Sequence, residues 1–141
     1  MRALLIFVVG ILPGLLMSCA LAADKSEPEP TRPPTLSTND CPAAADLKAV
    51  EGWQTGDASY RAVRSGDEVA VFAEGMTSTP GYRIQFAQLA DGKLGLYFKR
   101  PTGIQLQVLK PFKVCVRTKV AAGQKQITVV DRQGNHAVAI Q

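Results

Sequence analysis

The sequence predicts a mainly β fold: a small antiparallel sandwich or partial barrel with one short N-terminal helix. Three observations carry this. Apolar residues alternate with polar ones in a series of short segments after position 68. Turn residues recur every 8–12 positions between those segments. Asp91-Gly92 stands between two of them, and this dipeptide favours a two-residue hairpin because both central positions tolerate positive φ.

In chain order, residues 41–50 predict the short helix. Asp40 suits the N-cap, Pro42 the first turn and Gly52 the end. Val69–Glu74 is apolar enough for a buried strand. Tyr82, Ile84 and Phe86 share one face of the next strand, with Arg83 and Gln85 on the other. After the Asp91-Gly92 turn, Leu94, Leu96 and Phe98 point inward. Pro101-Thr102-Gly103 breaks the chain. Ile104, Leu106 and Val108 form the inward face of a further strand, and Phe112, Val114 and Val116 that of the next. Residues 126–130 and 137–140 are short terminal strands, joined through residues 131–135. The expected core is Phe72, Ile84, Phe86, Leu94, Leu96, Phe98, Val114, Val116 and Val129.

The domain limits come from composition. Residues 1–22 have one positive charge, an apolar run from Ala3 to Met17, and small residues after it, the form of a secretory signal. The run is short for a membrane span, which needs about 20 apolar residues. Two processing points are open. Ala20-Leu21-Ala22 suits ordinary signal peptidase, leaving Ala23 first. Leu16-Met17-Ser18-Cys19 is close to a lipobox, which would attach lipid at Cys19 and tether the protein to a membrane. Residues 23–40 are proline-rich and nearly devoid of apolar side chains, so they read as a disordered linker. Residues 41–141 are long enough for one compact β-rich domain.

Removing or acylating Cys19 leaves Cys41 and Cys115, and two cysteines in an exported domain most simply pair. Two free thiols are the alternative. Cys115 alternates with Lys113 and Arg117 and so lies on the polar face of its strand. A Cys41–Cys115 bridge would then run outside the sheet and pin the N-terminal segment across it.

Charge is segregated. Asp24 to Glu74 holds ten acids and five bases, and Gly75 to Gln141 two acids and ten bases. This marks either a basic binding face or two halves that pack beside each other. Nucleic acid is not an expected partner, because no nucleic-acid motif accompanies the bases. Enzyme signals are weak. His136 is the sole histidine, beside a turn, and reads as solvent-facing. Asp67 and Glu68 are adjacent and would point to opposite faces of an extended chain, so they are no acid–base pair. No nucleophile elbow or phosphate-binding loop occurs. No metal site is expected, since zinc needs several N or S ligands and the cysteines are taken; no cofactor is expected either. Trp53 reads as a core plug, with a ligand anchor as the other reading.

The segment from Glu74 to Phe86 holds Glu74-Gly75-Met76, then Thr77-Ser78-Thr79-Pro80-Gly81, then Tyr82 opening an alternating strand. This is similar to the C-terminal domain of PrcB-like protease-complex subunits. Those domains show a glycine, a short loop, Thr-Gly-Gly-Tyr and a hairpin, then a Pro-aromatic strand resembling Pro111–Val116. The resemblance covers Val69 to Val120, and Pro80 stands where the family has its first glycine. It implies a non-enzymatic subunit or modulator that associates with a secreted or periplasmic protease. The residues themselves give Thr77, Ser78, Thr79, Pro80, Gly81 and Tyr82 as a small polar loop able to enter a partner's groove. They equally fit a plain turn that starts a strand, with Tyr82 in the core. A small ligand-binding envelope protein or lipoprotein is the alternative to protein binding, with membrane contact only through the lipid anchor.

Overall fold

The computed structural model describes residues 37–141; the expected signal segment, Cys19 and residues 23–36 of the expected linker lie outside them. Eight strands form two sheets: β1 Gln54–Thr55, β2 Ser59–Ser65, β3 Glu68–Thr77, β4 Arg83–Ala90, β5 Lys93–Lys99, β6 Lys110–Lys119, β7 Gln126–Asp131 and β8 Gly134–Ala139. One sheet has the order β2-β3-β6, all antiparallel. The other centres on β5. Strand β4 pairs along one side of it, β7 and β1 share the other side, and β8 lies beyond β7. The architecture is a β-sandwich, mainly β as the alternation predicts.

Local chemistry sets the two tight hairpins. Asp91 and Gly92 connect β4 to β5 where Ala90 faces Lys93, and Gly92 has φ of 66°. Gly66 and Asp67 do the same between β2 and β3. The pairing of β5 with β7 is parallel, which the turn signals do not predict. Parallel neighbours need a long crossover, and here the chain leaves β5, runs through β6 in the opposite sheet and returns.

The main core lies between the sheets. It holds Val69, Val71 and Ala73 of β3, Phe86 of β4, Leu94, Leu96 and Phe98 of β5, Val116 of β6, and Ile127 and Val129 of β7. Ile84 and Val114 are half-buried against it. Phe72 is a correction to the expected core. It is buried, but in a second cluster on the outer face of the sheet with Cys41 and Ala70. The period of two decides this, because Val71 pairs with Val116 inward and Phe72 then pairs with Cys115 outward.

What covers Phe72 is the N-terminal segment. Cys41 and Cys115 are disulfide-bonded across 74 positions, with Cα atoms 5.3 Å apart. The helix expected over 41–50 is replaced. Residues 41–45 run extended, bridging Ala43 to Arg117 and Ala45 to Ala87. The Arg117 amide donates to the Pro42 carbonyl at 2.7 Å, and the Ala45 amide to the Phe86 carbonyl at 3.0 Å. Among the described residues, helical structure is limited to 3-10 turns at Thr38–Asp40 and Leu47–Val50. A disulfide on a strand's outer face holds the chain alongside the strands, and those backbone bonds outweigh a marginal ten-residue helix. The segment thereby links β6 of one sheet to β4 of the other. At the opposite edge Ile140 bridges Ala62, and the Gln141 amide donates to the Ala62 carbonyl at 3.0 Å.

The strand expected over Ile104–Val108 is also a correction. Residues 100–109 have no regular structure, and Ile104, Leu106, Val108 and Leu109 are exposed. Strand β3 ends at Thr77, opposite Lys110, so the chain before β6 has no neighbour to pair with. Conversely, β2 carries no strong alternation in the sequence: Ala62 is its only fully buried residue, and Arg61 lies over the Phe72 ring.

Candidate functional site

One end of the sandwich gathers the β3–β4 loop, the 100–109 segment and the β1–β2 connection. Its floor is aromatic. Phe98 meets Phe112 edge-on at 5.3 Å and Tyr82 at 6.1 Å. A side chain at Gly56 would run into the Phe98 ring, and one at Gly75 would come within 2.8 Å of Phe112. These two glycines let the backbone lie flat against the rings.

The loop from Thr77 to Tyr82 is built as a clasp. Thr77 and Thr79 are buried. The Thr77 hydroxyl donates to the Lys110 carbonyl at 3.2 Å, and the Thr79 hydroxyl to the Leu106 carbonyl at 2.7 Å. Pro80 is half-buried, and Gly81 has φ of 91°, which glycine tolerates. Tyr82 packs against the core and its hydroxyl accepts from Arg100 Nε at 3.3 Å. Ser78 and Gly81 are the loop's exposed members. The loop therefore holds the 100–109 segment while its own threonines face inward.

The held segment presents the apolar surface. Ile104 is fully exposed, Leu106 and Leu109 are about 75% and 70% exposed, and Met76 of β3 is exposed nearby in the fold. Lys99, Arg100 and Lys110 flank the segment and form no ion pair among the described residues. Arg83 and Lys99 stand directly opposite each other across β4 and β5. Both approach the Trp53 ring, at 5.7 and 5.8 Å. Trp53 is half-buried and outside the core cluster, so it serves as a cation platform and not as a core plug.

A cavity of about 270 Å³ opens beside the loop, lined by Thr55, Asp57, Ser78, Tyr82 and Arg132 among others. Asp57 forms an ion pair with Arg132, while its other carboxylate oxygen, Oδ1, is buried without a hydrogen-bond partner among the described residues.

His136 departs from the solvent-facing expectation. Its Nε2 lies 2.8 Å from Asp131 Oδ1, and its ring is 5.3 Å from Tyr60. Tyr60 donates to Asp131 Oδ2 at 2.6 Å, and the Gln133 amide to Oδ1 at 2.8 Å. Burial pushes the Asp131 carboxyl upward, and the bonds from Tyr60, His136 and Gln133 overcome this and hold it below its ordinary range. Burial and the Asp131 carboxylate together push the Tyr60 phenol far up. No local pattern signals this trio, since Tyr60 and Asp131 are 71 positions apart.

Among the described residues no group of three or more His, Cys, Asp or Glu is placed to hold a metal ion. Comparison with protein-family models, curated proteins and solved structures finds no match to this chain.

Proposed function

We propose that this is an exported, non-enzymatic protein-binding domain whose contact surface is the 100–109 segment clasped by the Thr77–Tyr82 loop. One observation carries the reading: four large apolar side chains, Ile104, Leu106, Val108 and Leu109, stand exposed on a segment that the Thr79–Leu106 hydrogen bond holds and the Thr77–Lys110 bond anchors at its end, with Met76 of β3 exposed as well. Several large apolar side chains exposed on one loop of a rigid scaffold are the usual form of a recognition site. The resemblance over Val69–Val120 makes a secreted or periplasmic protease the first partner class to test. The test is recovery of a partner by the mature protein from the extract of its own compartment, compared with an Ile104→Ser/Leu106→Ser variant. Both side chains are solvent-exposed, so the variant keeps its fold. A partner retained equally by both proteins would place the contact elsewhere and defeat the reading.

A second reading rests on the orphaned Asp57 Oδ1 beside the 270 Å³ cavity. A buried carboxylate oxygen without a donor suits a small cationic or hydroxylated ligand. A thermal shift with small amines or sugars, lost in Asp57→Asn, would favour that reading over protein binding.

A further inference from the structure

We infer that the 103–109 segment is a docking strand, and that its occupant is an extended, acidic segment of a partner protein that adds alongside it through backbone hydrogen bonds. The inference rests on the protein-binding reading and names the partner's chemistry.

The first observation is a strand pattern without a strand. Ile104, Leu106 and Val108 alternate with Gln105 and Gln107, the period that a sheet imposes. The backbone here is nevertheless unpaired. The Leu106 carbonyl accepts from Thr79 and from the Val108 amide at 3.1 Å, which fixes a tight turn at Gln107. The N–H groups of Ile104, Gln105 and Gln107 have no partner among the described residues. In an extended chain alternate N–H groups share an edge, so Gln105 and Gln107 offer two free donors on one side next to exposed aliphatics, the template on which a strand is added.

The second observation is charge. From Gly92 to Val130 the chain holds eight bases and no acid. Lys99, Arg100 and Lys110 bracket the segment without ion pairs among the described residues, and the like-charged pair Arg83 and Lys99 faces across β4 and β5 beside them. Directly opposed like charges are unfavourable in a sheet, and an acidic partner relieves that repulsion. The same charges oppose a second copy of this chain in that place. An anionic membrane surface would satisfy the charge, but inserting this segment would carry unpaired amides and two glutamines into hydrocarbon, where no water is present to satisfy them. An added strand pairs those amides.

The test selects binders of the mature protein from a phage-displayed library of random linear peptides. The enriched peptides are expected to alternate aliphatic residues with Asp or Glu. Their affinity is expected to survive Gln107→Ala, which keeps the amide, and to fall about five- to tenfold in Gln107→Pro, which removes it. Gln107 is exposed, so neither change touches the core. Amide exchange should slow over 103–109 in the complex. Selection of no peptide, selection of non-acidic peptides, or equal binding by Gln107→Pro overturns the inference. So does binding to phosphatidylcholine–phosphatidylglycerol vesicles without peptide binding. A partner that is recovered from the extract and lost in the Ile104→Ser/Leu106→Ser variant, with no acidic peptides selected, would leave the protein-binding reading standing and defeat this one alone.

Discussion

Tyr60 donates its hydroxyl to Asp131 at 2.6 Å, and this bond joins the two sheets: Tyr60 is on β2 of the three-stranded sheet, and Asp131 ends β7 of the five-stranded one. Asp131 is 5% exposed and also holds His136 and the Gln133 amide. Bonds to a buried carboxylate are charge-assisted, and losing the charge weakens all of them together. Asp131→Asn is expected to cost about 2 kcal/mol, and Tyr60→Phe about 1 kcal/mol, in urea unfolding. For a domain of this size the Asp131→Asn loss corresponds to a fall in Tm on the order of 10 °C.

The same trio sets the pH limits of stability. Asp131 is held below its ordinary range in the folded protein, so it stabilises above its unfolded value near pH 4 and loses that contribution as pH falls through the folded value. Tyr60 is pushed up, first by burial and then by Asp131, so its contribution is complete below about pH 10 and is lost as pH rises further. Urea midpoints measured across pH should therefore show a shallower acid limb in Asp131→Asn and a shallower alkaline limb in Tyr60→Phe. Parallel limbs in wild type and both variants would show that these groups do not set the limits.

Local signals in the sequence carry the sheet elements whose cause is local. Asp91-Gly92 turns β4 into β5, and Lys113-Val114-Cys115-Val116-Arg117 places Cys115 on the outer face. The misreadings share a different cause. Ile104–Val108 has the pattern of a strand, but pairing needs a neighbour, and β3 ends opposite Lys110. Phe72 reads as core because it is large and apolar, and its face is decided by the register with Cys115. Of the candidate site, the loop from Thr77 to Tyr82 is legible as a turn. Its clasping of Leu106 and Lys110 is not, because those bonds span 27 and 33 positions.

The disulfide carries the outer cluster. Cys41 is 1% exposed and seals Phe72 and Ala70 against solvent. A bridge closing 74 positions is worth about 4 kcal/mol in the chain-entropy treatment. The paired Cys41→Ser/Cys115→Ser variant is expected to lose about that amount and to exchange amides rapidly over residues 37–45. Treatment of the wild type with dithiothreitol should produce the same loss. Equal stability with and without reductant would mean that the backbone bonds of Pro42, Ala44 and Ala45 hold the segment unaided.

Gly56 is required by volume and not by backbone conformation. It lies against the Phe98 ring, which packs edge-on to Phe112 and near Tyr82. A methyl group there forces Phe98 out of its place in the core. Gly56→Ala is expected to destabilise by about 1–3 kcal/mol, the ordinary cost of overpacking. The Phe98 ring resonances should shift with it. A neutral result would show that the β1–β2 connection yields easily.

Thr79 separates the hold on the 100–109 segment from the stability of the sandwich. Its hydroxyl is buried and donates to the Leu106 carbonyl, on a segment that makes no ladder bonds of its own. Thr79→Val keeps the shape and removes the donor, leaving a carbonyl that can turn to water. The expected cost in global stability is at most about 1 kcal/mol. Local opening should change far more, because few other bonds anchor these residues. Limited proteolysis should cut Thr79→Val within residues 102–109 several times faster than wild type, with an almost unchanged Tm. If Tm instead falls in step with the faster cleavage, the segment is part of the cooperative fold, and the loop does not act as a separate clasp.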